Sequence, residues 1–343
     1  MKKILYIASA LAFVACGSSK EVLNETPKDT DYAKKYAETI TAKDLGKHLF
    51  VYASDEFEGR DTGSPGQKKA VAYLKDFYSS QEIPSPLGKN TYFQKVPAAF
   101  LSNNQRGIPL KDSENVIAYI KGSEKPNEVI IISAHLDHEG IKDGKIYNGA
   151  DDDGSGTVAI LEIAQAFKQA AKAGKRPKRS VVFLHVTGEE KGLLGSKYYT
   201  ENPIFPLANT VANLNIDMVG RVDELHKETP NYVYLIGSDK LSTTLHNISE
   251  EMNKKYMHIN LDYTYNDEND PNRFYYRSDH YNFAKHNIPI IFYFNGVHED
   301  YHQPSDTPDK IDYDLLENRT RLVFYTAWEL ANRNERIIAD KVK

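Results

Sequence analysis

The sequence predicts a three-layer α/β/α sandwich around a central mixed, largely parallel sheet. Three observations carry this. Apolar runs of strand length recur along residues 41–335, helix-length amphipathic segments lie between them, and no repeat or low-complexity tract interrupts the alternation. A short run that is apolar throughout belongs to a strand covered on both faces, which in an open sheet means helices above and below.

Residues 41–53 place Leu45, His48, Leu49 and Tyr52 at helical spacing. Ser64-Pro65 opens a second helix through an N-cap and a first-turn proline, with Ala70, Val71, Leu74, Phe77 and Tyr78 on its inner face. Buried-strand runs cover residues 116–120, 129–134, 181–186, 211–216, 232–236 and 289–294. Helices fill the gaps at 155–173, 193–200, 240–254, 279–286 and 313–332, the last aligning Leu315, Leu316, Leu322, Val323, Thr326, Ala327 and Leu330. At 343 residues the chain has room for two domains, yet nothing divides this stretch, so 41–343 reads as a single catalytic domain.

Residues 1–15 read as a signal peptide: Met1-Lys2-Lys3 precedes an apolar run at 4–14 that is too short to span a bilayer. Cys16, after Phe13-Val14-Ala15 and before Gly17-Ser18-Ser19-Lys20, resembles the lipobox of bacterial lipoproteins, with Phe13 where leucine is usual. That resemblance implies export, a lipid on Cys16 anchoring the protein to a membrane of the bacterial cell envelope, and a tether within 16–40.

Lys+Arg 43 against Asp+Glu 48 gives a net charge of −5 without a basic block, which excludes the electrostatic footprint of a nucleic-acid binder. A single cysteine excludes a disulfide framework and a thiolate zinc site, whereas 11 histidines and 48 acids leave room for a His/carboxylate metal site. Polar residues gather where open α/β sheets place their ligands, at the carboxyl ends of strands. His135-Leu136-Asp137-His138 follows 129–134, and a loop leads on to Gly149-Ala150-Asp151-Asp152-Asp153-Gly154. Thr187-Gly188-Glu189-Glu190 follows 181–186, Asp217 follows 211–216, and Asp300-Tyr301-His302-Gln303-Pro304 follows 289–294.

Taken singly these are bland: a strand-end Asp is ordinarily a turn or cap, a lone His is ordinarily packed or solvated, and adjacent acids ordinarily mark a wet loop. Together, each just after a buried strand, they converge on one edge of the sheet. Carboxylates packed so densely repel one another unless cations lie between them, and imidazole with carboxylate suits zinc, with cobalt or manganese as further options. Competing motifs fail. Gly154-Ser155-Gly156-Thr157-Val158-Ala159 fits a loose dinucleotide pattern, but three aspartates precede it; a Walker loop and a GxSxG elbow are absent, and His138-Glu139 is not followed by the second histidine of a helical zinc motif.

The chain resembles the co-catalytic di-zinc aminopeptidases, a family that also includes glutamate carboxypeptidases and glutaminyl cyclases. The resemblance runs through Glu58-Gly59-Arg60-Asp61-Thr62-Gly63-Ser64, Asn115-Val116-Ile117-Ala118, Ser133-Ala134-His135-Leu136-Asp137, 149–156, Gly188-Glu189-Glu190, Asn215-Ile216-Asp217, Ser278-Asp279-His280 and Tyr301-His302. It implies two zinc ions, one on His135 and Asp217, the other on Glu190 and His302, with Asp152 bridging. It further implies Glu189 as general base, Asp137 as the carboxylate orienting His135, and Tyr301 as the hydroxyl steadying an oxyanion. In that family the peptide bond between the residues matching Asp152 and Asp153 is often cis. No long insertion separates Ile83 from Asn115, so a protease-associated domain is not expected there.

The implied activity is removal of N-terminal residues from peptides. Tyr301 stands where cyclases of this fold tend to carry tryptophan, which favours hydrolysis. The alternatives are a glutaminyl cyclase with one zinc and a non-catalytic binding member of the fold. The segment 263–283, with Tyr265, Arg273, Phe274, Tyr275, Tyr276 and Arg277, either walls a specificity pocket or forms a surface loop of stacked tyrosines; the sequence leaves both open.

Overall fold

The computed structural model describes residues 30–103 and 107–342. The expected signal peptide, the expected lipidation site Cys16 and residues 17–29 of the expected tether lie outside them. Ten strands occur among the described residues: β1 (Phe93–Val96), β2 (Ser113–Ile120), β3 (Lys125–His135), β4 (Gly140–Lys142), β5 (Lys145–Tyr147), β6 (Arg179–Val186), β7 (Thr210–Ile216), β8 (Tyr232–Ile236), β9 (Asn260–Asp262) and β10 (Ile290–Phe294). The α-helices are α1 (Tyr32–Ala37), α2 (Ala42–Tyr52), α3 (Pro65–Ser80), α4 (Ala98–Leu101), α5 (Gly156–Lys172), α6 (Leu194–Glu201), α7 (Thr243–Met252), α8 (His280–Ala284) and α9 (Tyr313–Asn332).

Eight strands make one sheet in the order β1-β2-β6-β3-β7-β10-β8-β9, and β4 pairs with β5 apart from it. The centre, β6-β3-β7-β10, is parallel. The β1-β2, β2-β6 and β10-β8 pairings are antiparallel, and β8-β9 is parallel. All six apolar runs are strands of this sheet, which bears out the mixed, largely parallel reading.

Period-two alternation sorts the strand side chains into the two outer layers. Ile130, Ile132 and Ala134 of β3 and Val181 and Phe183 of β6 join a core with α2, α3, α5 and α9. Val129, Ile131, Val182, Leu184 and Val186 face the opposite way, toward Tyr199 of α6 and Phe283 of α8. Local chemistry starts the helices as the sequence suggests. Thr41, Ser64 and Asp312 accept hydrogen bonds from the backbone N–H groups of Asp44, Gln67 and Leu315 at 3.1, 3.2 and 3.0 Å, each satisfying one orphan donor of a first turn.

The last residues of 16–40, expected as a tether, belong to the folded domain. Tyr32–Ala37 is a helix, and Ala33, Tyr36, Ala37 and Ile40 are buried in the main core. Six residues are too few to display a helical period, which hid this element. No helix among the described residues is long and apolar enough to cross a membrane.

Candidate metal centre

The ends of the four parallel strands open onto one cleft. His135 closes β3 with its imidazole Nε2 3.0 Å from Asp152 Oδ1 and 3.5 Å from Asp217 Oδ1. On the other side, His302 Nε2 lies 2.9 Å from Asp152 Oδ2 and 3.3 Å from Glu190 Oε1. Asp152 thus presents one carboxylate oxygen to each histidine, the arrangement a bridging ligand requires, and the five expected ligand residues are assembled as two sets that share it.

Buried hydrogen bonds set these side chains. A directed chain runs from Asn213 Nδ2 to Ser133 Oγ (2.8 Å), to Asn215 Oδ1 (2.6 Å), through Asn215 Nδ2 to Ser278 Oγ (2.9 Å), and on to Asp217 Oδ2 (2.6 Å). It leaves the other oxygen of Asp217 for the cleft. Asp306 accepts from the backbone N–H groups of Asp151 and Asp152, and Asp153 accepts from those of His135, Gly156 and Met218. A side chain at position 156 would collide with Asp153, since an added Cβ would meet its Oδ1 at 2.4 Å. The Asp152–Asp153 peptide bond is cis.

Asp137 does not orient His135 through its carboxylate. The ring Nδ1–H of His135 donates to the backbone carbonyl of Asp137 at 3.0 Å. The chain curls at the end of β3, which turns the Asp137 side chain away, and its carboxylate accepts from the Glu189 N–H at 3.2 Å and from Thr62 Oγ1 at 2.7 Å. Asp137 therefore fixes the backbone of Glu189.

His138 was missed in the sequence reading. It is fully buried, its Nδ1 is 3.0 Å from Glu190 Oε1 and 3.8 Å from Asp152 Oδ2, and neither ring nitrogen has a hydrogen-bond partner. With Asp152 and Glu190 it forms a second compact group of donors, beside that of His135, Asp152 and Asp217; a third group holds Glu139, Glu190 and His302. The spacing of His135 and His138 was the available signal.

These donors fit divalent cations. Asp152 Oδ2, Glu190 Oε1 and both nitrogens of His138 are buried yet unpartnered, although such groups normally find hydrogen bonds. Burial works against a charged ring at His302, yet Asp152 and Glu190 lift its pKa to about 10. Burial, reinforced by the carboxylates of Glu190, Asp217 and Asp279, holds Glu189 well above the usual range, with His135 opposing. A carboxyl so placed is suited to accepting and returning a proton. Glu190, although buried, is held well below the usual range by the nearby imidazoles of His138 and His302.

Beside the donors lies a small cavity of about 30 Å³, lined by Met218, Phe274, Phe292, Phe294 and Val297 as well as Glu189, Arg277, Tyr301 and His302. Segment 263–283 therefore does wall the cleft, through Phe274 and Arg277. The Tyr301 ring stacks on that of His302, with centroids 4.0 Å apart.

Comparison with known proteins follows this geometry. The leupeptin-inactivating enzyme 1 of Streptomyces exfoliatus is 26% identical over 344 residues, covering 94% of this chain and 67% of its own length. Other curated relatives match over about a third of this chain and under a quarter of their own length. A zinc aminopeptidase from Bacillus subtilis superposes with a TM-score of 0.65 at 17% identity, covering 89% of this chain and 99% of that one. The glutaminyl cyclase of Bacteroides thetaiotaomicron, solved with N-acetylhistamine, gives 0.63 at 18% identity, over 84% and 98%. Both solved proteins share this fold, so the fold alone does not separate hydrolysis from cyclisation. The family model for peptidase family M28 matches residues 115–327, which span β3, β6, β7 and β10 and every expected ligand, and the chain belongs to that family.

Proposed function

We propose that the protein is an exported zinc-dependent aminopeptidase that removes N-terminal residues from peptides with two metal ions, held in the cell envelope by a lipid on Cys16. One observation carries the two-metal reading: Asp152 turns one oxygen to each of two His/carboxylate sets. His135, Asp152 and Asp217 would hold one ion, and Asp152, Glu190 and His302 the other, with His138 beside the second set. Bound there, a zinc pair would lower the pKa of water and polarise the scissile carbonyl.

This chain's own residues do the rest. Glu189, fixed through its backbone by Asp137, takes a proton from the attacking water and passes it to the leaving amine. Tyr301 lines the cleft, where its hydroxyl would donate to the developing oxyanion, and burial with the neighbouring carboxylates raises its pKa so that it keeps its proton.

The test is elemental analysis together with a panel of aminoacyl anilides. Two ions per active chain, with activity lost to a chelator, supports the proposal. At most one tightly bound ion, with ammonia released from an N-terminal glutamine peptide and no hydrolysis, selects the cyclase instead. Empty sites and no turnover select the binding module. For the anchor, Cys16→Ser is expected to move the protein from the membrane to the soluble fraction; freely soluble wild-type protein beginning at residue 17 or later overturns the lipid.

A further inference from the structure

The cleft has a second branch. From Glu189, Tyr301 and His302, which also border the small cavity, a groove of about 540 Å³ opens to solvent. The two branches meet at the reacting centre, and the groove is the one with room for a length of peptide.

The groove reverses the charge of the molecule. The chain as a whole carries −5, yet the groove is lined by Lys191, Lys197, Arg277 and Lys285, and among the described residues its acids are Glu189 and Glu190, which belong to the reaction centre. Two of the cations are already engaged: Lys191 pairs with Asp61 at 2.8 Å, and Lys197 leans toward Glu201 at 4.0 Å.

The other two are held by neutral groups. Arg277 sits over the Phe274 ring, 4.8 Å from its centroid. Lys285 donates to Asn282 Oδ1 at 3.0 Å and lies over the Tyr281 ring at 4.6 Å. Aromatic faces and an amide position a cation without neutralising it, so both heads retain their charge for a ligand. Arg277 also borders the small cavity, which places it at the junction, next to the bond to be cut.

We propose that this groove reads a carboxylate on the leaving side of the peptide, with Arg277 as its principal contact and Lys285 further out. The substrates are then dipeptides and short peptides in which a carboxylate follows the scissile bond closely, as a free C-terminus or as an aspartate or glutamate side chain. An arginine fork matches a carboxylate in two-point geometry. The inference rests on the aminopeptidase reading and adds the class of peptide.

The experiment compares Leu-Ala, Leu-Ala-amide and Leu-Asp-amide, with leucine anilide as a substrate that has no carboxylate. Preference for Leu-Ala over Leu-Ala-amide by about tenfold or more in kcat/KM, residing mainly in KM and shrinking with added salt, supports a C-terminal reader. The same preference for Leu-Asp-amide supports a side-chain reader.

In Arg277→Gln the preference ratio is expected to fall toward one, in Arg277→Lys to be partly restored, and in the exposed Lys285→Gln to fall less. Carboxylate-blind cleavage, with all ratios near one in the wild type, overturns this inference while leaving the aminopeptidase reading standing. Failure to cleave any of the four, the anilide included, refutes the underlying reading.

Discussion

Arg60 gives a prediction whose size follows from counted contacts. It is 1% exposed, and its guanidinium donates to four backbone carbonyls: Leu136 (3.2 Å), Tyr52 (3.1 Å), Asn148 (2.7 Å) and Gly149 (2.9 Å). Leu136 lies between His135 and Asp137, and Gly149 opens the loop that carries Asp152, so one side chain ties together the segments of the first ligand set. The backbone here is unusual, with positive φ at Glu58, Gly59 and Arg60, and an added Cβ on Gly59 would strike the Tyr147 carbonyl at 2.4 Å. Arg60→Met keeps apolar volume and removes every donor.

Bonds to a charged donor contribute about 1.5–3 kcal/mol each, so four amount to about 6–12 kcal/mol in gross terms. Methionine escapes the several kcal/mol needed to desolvate a guanidinium, which leaves a net loss of about 3–5 kcal/mol. Arg60→Lys should be no better than Arg60→Met, because it keeps a buried charge and cannot reach four carbonyls from one ammonium. The assay is urea unfolding of all three proteins, with and without saturating metal, because bound metal adds its own stabilisation. A methionine variant within 1 kcal/mol of the parent, or recovery by lysine, would refute the argument.

Four further outcomes follow from the site. Glu189→Gln should lower kcat by about 10²–10⁴-fold with two metals retained, whereas Glu190→Gln should weaken metal binding itself; normal turnover of the first variant contradicts its role as base. Tyr301→Phe should cost on the order of 10²-fold in kcat with little change in KM, and a variant with unaltered kcat would show that the ring merely packs. His138→Gln should weaken one of two metal-binding steps by about 10–100-fold in calorimetric titration, and identical isotherms exclude a part for this ring. Burial pulls His185 from 6.5 down to about 3, so it is neutral in the fold while the unfolded chain takes up a proton below pH 6.5. Its stabilisation is complete above pH 6.5 and is lost as the pH falls, by about 2 kcal/mol at pH 5, and His185→Gln should flatten the urea-derived stability profile below that pH.

The sheet was legible because its strands are buried on both faces, so their runs stand out unbroken, and α9 was legible because twenty residues display a full helical period. The five expected ligand residues were legible through the family resemblance, as polar residues in the stretches that follow such runs or start the crossover to α5. What escaped depends on contacts remote in sequence. The acceptors of Arg60 are carbonyls, which leave no mark on residue identity. The direction of the Asp137 carboxylate depends on how the chain curls after His135, and the place of His138 on the approach of the 300–302 loop. Edge strands β1 and β9, four and three residues long, are too short to show alternation.

The donors are drawn from positions 135 to 302 and meet only where β6, β3, β7 and β10 lie side by side. Each group of donors joins residues from different strand ends, so no single hairpin or isolated helix holds one. Binding of the full metal complement is thereby a report on completed folding. Cobalt taken up as a coloured ion should reach its final visible bands at the rate of the slowest step in refolding, and a chain stalled before β10 docks would lack the His302 donor and show an altered, incomplete spectrum.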